Sequence, residues 1–234
     1  MTICILDNDR LDAALMARWH SYGAMTAQLL REAGWDGGIE IHAAREGQYP
    51  EDMTRYDAVV LTGSRADAFG DEPWVVALRE QVTRLLAGGQ KLLGICFGHQ
   101  LIAHVLGASV GRAPNGWGQG RMVYDWLGPP DVADAQGRIA LLASHQDQVL
   151  TLPAGATLLA RNGHCPIAAY AVGEQVLCVQ PHPEFDADYS AQLIERRSRL
   201  FPPDVVAERL DSLKAGHDGL AFGRYLVRFI RQGL

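Results

Sequence analysis

Cys96 stands in Gly94-Ile95-Cys96-Phe97-Gly98-His99-Gln100, directly after the apolar run that starts at Lys91-Leu92-Leu93. Gly94 and Gly98 flank it at the spacing of a nucleophile elbow, a sharp strand-to-helix turn in which missing side chains let the backbone fold tightly. A thiol at that position meets the N-terminus of a helix, whose unpaired N–H groups and partial positive charge favour the thiolate. The alternative is a small buried cysteine between two packing glycines. A nucleophile needs a base, and an acid for its leaving group. Of the eight histidines, His182 is the candidate, because Gln180-Pro181-His182-Pro183-Glu184 follows the apolar run Val176–Val179. Pro183 biases His182 towards an extended conformation, and residues two apart in an extended segment face the same way. Glu184 can therefore orient the imidazole and favour its protonated form. A tetrahedral oxyanion needs backbone donors. The N–H of Phe97, next after the cysteine, supplies one, and Gly63 or Ser64 in Thr62-Gly63-Ser64 supplies a second.

The elements that must bring these residues together follow from periodicity. Thr2–Leu6 reads as a first strand ended by Asp7-Asn8-Asp9. Tyr22, Met25, Leu29 and Leu30 recur at helical spacing up to Gly34. Ile39 and Ile41 alternate with polar neighbours in a second strand, and Tyr56–Leu61 makes a third. Asp71-Glu72-Pro73 opens a helix with a cap and an early proline, its apolar face Val75, Leu78, Val82 and Leu85, stopped by Gly88-Gly89. The strand before Cys96 and the helix Leu101–Leu106 follow. This alternation predicts an α/β fold, a doubly wound, mostly parallel sheet with helices on both faces. Sites in such sheets lie at the carboxyl ends of strands, where both Thr62-Gly63-Ser64 and Cys96 fall. Beyond Gly107, Gly111–Leu127, Arg138–Ala143, Ala156–Arg161, Ile167–Val172 and Gln175–Gln180 read as short strands of a smaller antiparallel section. From Asp186 onward the chain reads as C-terminal helices: Tyr189–Leu200, Asp204–Leu213, and Gly219–Ile230 capped by Asp218. The last presents Leu220, Tyr225, Leu226, Phe229 and Ile230 as a docking face. Without a repeat, low-complexity tract or linker, residues 1–234 read as one domain with 186–234 a helical extension packed on it.

The 234 residues, 48% hydrophobic and 21% charged, suit a soluble globular protein with a large core. A net charge of −6 without a dense basic cluster argues against nucleic-acid binding. Glu195-Arg196-Arg197-Ser198-Arg199 reads as one solvated helix face. No stretch is long and apolar enough for a membrane span, and Met1–Asp7 lacks the basic start of a signal peptide, so a cytoplasmic location is expected. The four cysteines show no C-x-x-C spacing, so no metal site is expected. Cys4 and Cys178 lie in strand-like runs and read as core, whereas Cys165, after His164, is either a plain loop residue or half of a reactive pair.

Taken together, Gly94–Gln100 and Pro181-His182-Pro183-Glu184 resemble the class I, triad-type glutamine amidotransferases. The resemblance implies a flavodoxin-like fold of that family and an activity in which the cysteine attacks the side-chain amide of glutamine, releases ammonia and forms a γ-glutamyl thioester that water hydrolyses. It implies Cys96 as nucleophile, His182 as acid and base, Glu184 as its orienting partner, Gly63 and Ser64 as the oxyanion strand, and Gln100 as a glutamine contact. Thioester chemistry at a cysteine needs no metal or organic cofactor, so none is expected. Gly63–Phe69 with Asp71–Trp74, and Ser144-His145-Gln146-Asp147-Gln148-Val149, are similar to a stand-alone branch. That branch holds GMP-synthase-like amidotransferases and plant γ-glutamyl peptidases that act on glutathione conjugates. Typical members carry a second Gly followed by Pro where this chain has Ser64-Arg65; Arg65 either binds a substrate carboxylate or sits in solvent. In the GMP-synthase type a segment like Ser144–Asp147 faces the synthase part, so His145 and Asp147 either contact substrate or partner or form a loop between strands. In Asn115–Gly120, Trp117 supplies a pocket wall and the glycines allow close approach.

Three readings follow. Glutamine is hydrolysed and ammonia passes to an acceptor activated on a separate synthase subunit, since the chain has neither a Ser-Gly-Gly-x-Asp-Ser nor a G-x-x-x-x-G-K-[ST] loop. Alternatively the chain is a stand-alone γ-glutamyl peptidase acting on glutathione-like peptides, or a non-catalytic regulatory binding protein. In the first two the small-molecule substrate is a γ-glutamyl compound.

Overall fold

A computed structural model describes residues 1–232. Strands β1 (Thr2–Asp7), β2 (Gly38–Ala43), β3 (Ala58–Leu61) and β4 (Leu92–Ile95) are joined by helices α2 (Tyr22–Glu32) and α3 (Pro73–Ala87). Helix α4 (Phe97–Val105) leaves β4 through Cys96 alone. With β11 (Val176–Val179) these strands form a parallel array in the order β2-β1-β3-β4-β11. The same sheet continues antiparallel through β10 (Ala169–Val172), β9 (Thr157–Arg161), β6 (Gly118–Trp126) and β7 (Arg138–His145). A separate antiparallel pair joins β5 (Val110–Arg112) to β8 (Asp147–Val149). The stretch expected as one strand over 111–127 is thus divided between two sheets, and Asn115–Trp117 forms the corner between them.

The two-residue period of β1 shows why the sheet is covered twice. Ile3 and Ile5 face one core, shared with Leu29 and Leu30 of α2. Cys4 and Leu6 face the other, shared with Val75, Leu78, Val82 and Leu85 of α3 and Leu101 of α4. All four residues of β3 and of β4 are buried, as a central parallel strand requires. Cys4 and Cys178 are in this core, as read from sequence, with thiols pushed up to about 12 by burial.

Helices α5 (Ala187–Arg196), α6 (Pro203–Ser212) and α7 (Gly219–Gln232) complete the chain. Helix α7 lies on α2, and Gly223 permits the approach, since a Cβ there would stand 2.9 Å from Leu29 Cδ1. Phe222, Tyr225, Leu226, Phe229 and Ile230 are buried, while Leu220, assigned to the same face, is 38% exposed one turn earlier. Two acidic residues at helix starts spend their carboxylates on other partners. The Asp218 carboxylate accepts the backbone N–H of Ala140, 2.7 Å away, tying the start of α7 to β7. The Glu72 carboxylate accepts from Trp74 Nε1 at 2.8 Å and leaves Pro73 to open α3. A short helix the periodicity does not disclose, α1 (Ala13–Trp19), lies between β1 and α2 and buries Leu15. No described helix is long and apolar enough to cross a membrane.

Candidate active site

The carboxyl ends of β1, β3, β4 and β11 meet at one edge, because Leu61 pairs with Gly94 and Ile95 with Val179. Cys96 sits there at φ 51°, ψ −99°, a strained setting for a residue with a side chain. Its N–H donates to Val179 O and its carbonyl accepts from Gln100 N, so sheet and helix over-determine the turn. The flanking glycines are required by close packing. A Cβ on Gly94 would stand 2.6 Å from the Gly98 carbonyl carbon, and one on Gly98 would stand 2.7 Å from Leu61 Cβ. The first N–H groups of α4, Phe97 among them, have no partner within the helix ladder.

Past β11 the chain bends at Gln180-Pro181, His182 makes an isolated bridge to Leu142 with its N–H on Leu142 O at 2.7 Å, and Pro183-Glu184 form a turn rather than the expected extended segment. Its Nδ1 lies 2.7 Å from Glu184 Oε1, and the ring stacks on Phe185 at 3.8 Å. Nε2 is left for the sulfur side, the tautomer logic of an oriented imidazole. Burial alone would disfavour charge on this ring, but the Glu184 carboxylate and Cys96 outweigh it and raise the imidazole well above its ordinary range. Gly63 also makes room for the ring: a Cβ there would lie 2.8 Å from His182 Cε1 and 3.7 Å from Cys96 Cβ. Only a glycine leaves the ring its place.

The loop carrying Gly63 and Ser64 is clamped from the end of β1. Asn8 N donates to Thr62 Oγ1 at 2.9 Å, and Asn8 Nδ2 to Thr62 O at 3.0 Å. Asp9 Oδ2 accepts the backbone N–H of Arg65 at 2.8 Å. Read from sequence, Asp7-Asn8-Asp9 only ends a strand; in the fold it fixes the candidate oxyanion loop.

A cavity of about 70 Å³ opens over Cys96 and His182, and Gln100, Trp117, His145 and Arg65 all line it. Gln100 donates through Nε2 to Asp147 O at 2.9 Å and Gln180 Oε1 at 3.0 Å. Arg65 is exposed but not unpaired. Its guanidinium pairs with both oxygens of Asp9 and donates to Arg10 O, so most of its donors are committed to the scaffold. His145 ends β7 and is buried, and desolvation with the neighbouring His164 and His182 pushes its pKa down to about 3. It is a neutral imidazole at the cavity wall. Asp147 begins β8 rather than lying in a loop, and Arg112 holds it through both carboxylate oxygens. Burial raises its pKa, against the effect of Arg112. Cys165 is fully buried in the core, with a thiol pushed up to about 12, which leaves the plain reading over the reactive one.

Arg197 corrects the reading of Glu195–Arg199 as one solvated face. Helix α5 ends at Arg196, and Arg197 at φ −104°, ψ 6° leaves the helical line and turns to the cavity. Its guanidinium stacks over Trp117 at 4.6 Å and donates to Ser144 Oγ at 3.1 Å. The contact with Trp117, eighty positions away in the chain, is the kind of signal periodicity does not carry. Among the described residues no group of three or more His, Cys, Asp or Glu side chains is placed to hold a metal ion.

A family model described as glutamine amidotransferase class-I matches residues 18–197. The chain is 36% identical to γ-glutamyl peptidase 3 of Arabidopsis thaliana over 64% of each chain, just under two thirds of that relative's length. It is 32% identical to γ-glutamyl peptidase 2 of the same plant, over 72% of this chain and 71% of the relative. Among solved structures, a glutamine amidotransferase from Thermotoga maritima superposes with a TM-score of 0.77 over 99% of both chains at 21% identity, which shows a shared fold.

Proposed function

The chain belongs to the class I glutamine amidotransferase family, and from that premise we propose that it hydrolyses a γ-glutamyl amide through a thioester on Cys96. The observation that carries this reading is the meeting of Cys96, at its strained turn, with a His182 ring held by Glu184 at 2.7 Å. The Cys96 sulfur attacks the γ-carbonyl carbon, and the oxygen takes negative charge facing the N–H groups of Phe97 and of Gly63 or Ser64. The C–N bond then breaks as the His182 imidazolium gives its Nε2 proton to the leaving nitrogen. Water attacks the thioester, His182 takes a proton from it, and the C–S bond breaks to release glutamate and the thiolate. Glu184 keeps Nδ1 protonated and stabilises the imidazolium throughout.

With glutamine the leaving group is ammonia, passed to an acceptor activated on a separate synthase subunit. With a γ-glutamyl peptide it is an amino acid or peptide, and the relatives named γ-glutamyl peptidases favour this second reading. Mass spectrometry of the protein quenched during turnover with glutamine and with γ-glutamyl dipeptides tests both. A γ-glutamyl adduct on Cys96, absent in Cys96→Ser, is the expected result. No adduct and no glutamate from any γ-glutamyl amide would overturn the hydrolase reading.

A further inference from the structure

The cavity over Cys96 does not end at the polar groups around the sulfur. A second chamber of about 190 Å³ adjoins it, and Tyr22, Arg65 and Arg197 line both. The floor of this chamber is apolar: Leu11, Leu15, Leu193 and Tyr189, all buried. A dry apolar cavity of about 150 Å³ accommodates benzene, so this one has room for a side chain of leucine or phenylalanine size. Leu11 and Leu15 come from the segment of α1 and the turn before it, Leu193 and Tyr189 from α5.

Three arginines ring the chamber, and their pairing differs. Arg65 is bound to Asp9, and Arg196 Nη1 lies 2.8 Å from Asp12 Oδ2. Arg197 meets only neutral oxygens, Ser144 Oγ and Leu193 O, and the face of Trp117. Among the described residues no carboxylate lies within ion-pair distance of it. A partly buried guanidinium without an anion is under-satisfied, and it stands where the catalytic cavity opens into the apolar chamber.

We propose that this chamber is the leaving-group subsite, built for an α-amino acid with an apolar side chain whose free carboxylate pairs with Arg197. The inference rests on the γ-glutamyl hydrolase reading and narrows it: the substrate class is γ-glutamyl dipeptides ending in an apolar residue, and glutamine is a poor substitute. When the C–N bond breaks, the nitrogen that takes the His182 proton belongs to that amino acid. Its side chain lies on Leu11, Leu15 and Leu193, and its carboxylate takes bidentate donation from Arg197.

A substrate series on the unmodified protein tests this directly. γ-Glu-Leu and γ-Glu-Phe are expected to exceed γ-Glu-Gly and glutamine in kcat/KM by at least about tenfold, as burial of a side chain of that size requires. γ-Glu-leucinamide, which lacks the carboxylate, is expected to fall about tenfold below γ-Glu-Leu. In Arg197→Gln the acid-to-amide ratio should collapse towards one. Leu193→Trp, which fills the chamber, should erase the advantage of γ-Glu-Leu over γ-Glu-Gly, and Leu15→Phe should do so in part. Equal kcat/KM for γ-Glu-Leu and γ-Glu-Gly in the unmodified protein would overturn the subsite. So would an Arg197→Gln loss equal for acid and amide, which places Arg197 on the glutamyl carboxylate common to both. Either result leaves the hydrolase reading standing if the Cys96 adduct forms; that reading fails only when neither the adduct nor glutamate appears.

Discussion

Gly63→Ala adds one methyl group at the centre of the site, and its effect can be worked from the distances. The new Cβ would lie 2.8 Å from His182 Cε1. Carbon atoms rest at about 3.5–4.0 Å, so ring and loop must separate by about 0.7 Å. The ring is stacked on Phe185 at 3.8 Å and bonded to Glu184 at 2.7 Å. The loop is held by Asn8 and Asp9. Neither side yields without disturbing one of these contacts. A misplacement of about 1 Å in a catalytic geometry costs on the order of 100-fold, and 0.7 Å sets the expected loss in kcat at about 10- to 100-fold, roughly 1.4–2.8 kcal/mol in the barrier. The assay is steady-state glutamate release, with the alkylation rate of Cys96 by iodoacetamide and the thermal midpoint read in parallel. Gly111→Ala, whose Cβ would meet only Leu150 Cδ1 at 3.4 Å, serves as the neutral control. A Gly63→Ala protein with unchanged kcat would refute the claim that this glycine exists to admit the His182 ring.

The Glu184→Gln variant removes the charge that raises the His182 pKa, so the alkaline limb of acyl-enzyme formation should move to lower pH, read by a kcat/KM profile. The same pair has a signature in stability. With His182 raised in the folded state, its contribution is full below the ordinary imidazole value of about 6.5 and is lost as pH rises through the raised value. Urea titrations across that range should show a smaller alkaline decline in Glu184→Gln. His99 and His145 act with the opposite sign: burial holds both down to about 3, so stability is full above about 6.5 and falls as the unfolded chain takes up protons below it. His145→Gln should reduce the loss of midpoint between about pH 6 and 4, within the range those pKa values span. Gly98→Ala would drive a methyl group to 2.7 Å from Leu61 Cβ, and over-packing of β3 against α4 at this cost, about 3 kcal/mol, should lower the thermal midpoint by roughly 6–12 °C.

The features read correctly in advance share a physical property: each is decided within a few residues. Gly94 announces a tight turn because a Cβ there would strike Gly98, four residues on, whereas the clash Gly98 avoids, with Leu61 of β3, is one that only packing reveals. His182 and Glu184 do meet, two residues apart, but across a turn at Pro183-Glu184 rather than along an extended backbone. The alternation of apolar runs and helical spacings reported a doubly wound sheet, and the fold carries one. Other expectations differ from the packed chain. The cap expected in Asp71-Glu72-Pro73 does not come from the Glu72 side chain, which accepts from Trp74 Nε1, and the Asp218 carboxylate accepts from Ala140 N of β7. The strand expected over 111–127 was split because Asp147–Val149 pairs with Val110–Arg112 from outside the main sheet.

What the amino-acid order determined by itself is the set of residues that a nucleophilic chemistry would use: a cysteine at a strand-to-helix turn, a histidine and a glutamate two residues apart, and glycines where backbone approaches backbone. What only the tertiary structure decided is what surrounds that chemistry. Asn8 and Asp9 reach Thr62 and Arg65 across more than fifty positions. Arg65, expected at the mouth, is bound to Asp9, and Arg197, expected in water, stands over Trp117 in the cavity. The physical reason is that the direction of a long cationic side chain is set by where its helix ends and which carboxylate lies nearest. Both depend on strand register and helix docking, which bring together residues that the sequence keeps far apart.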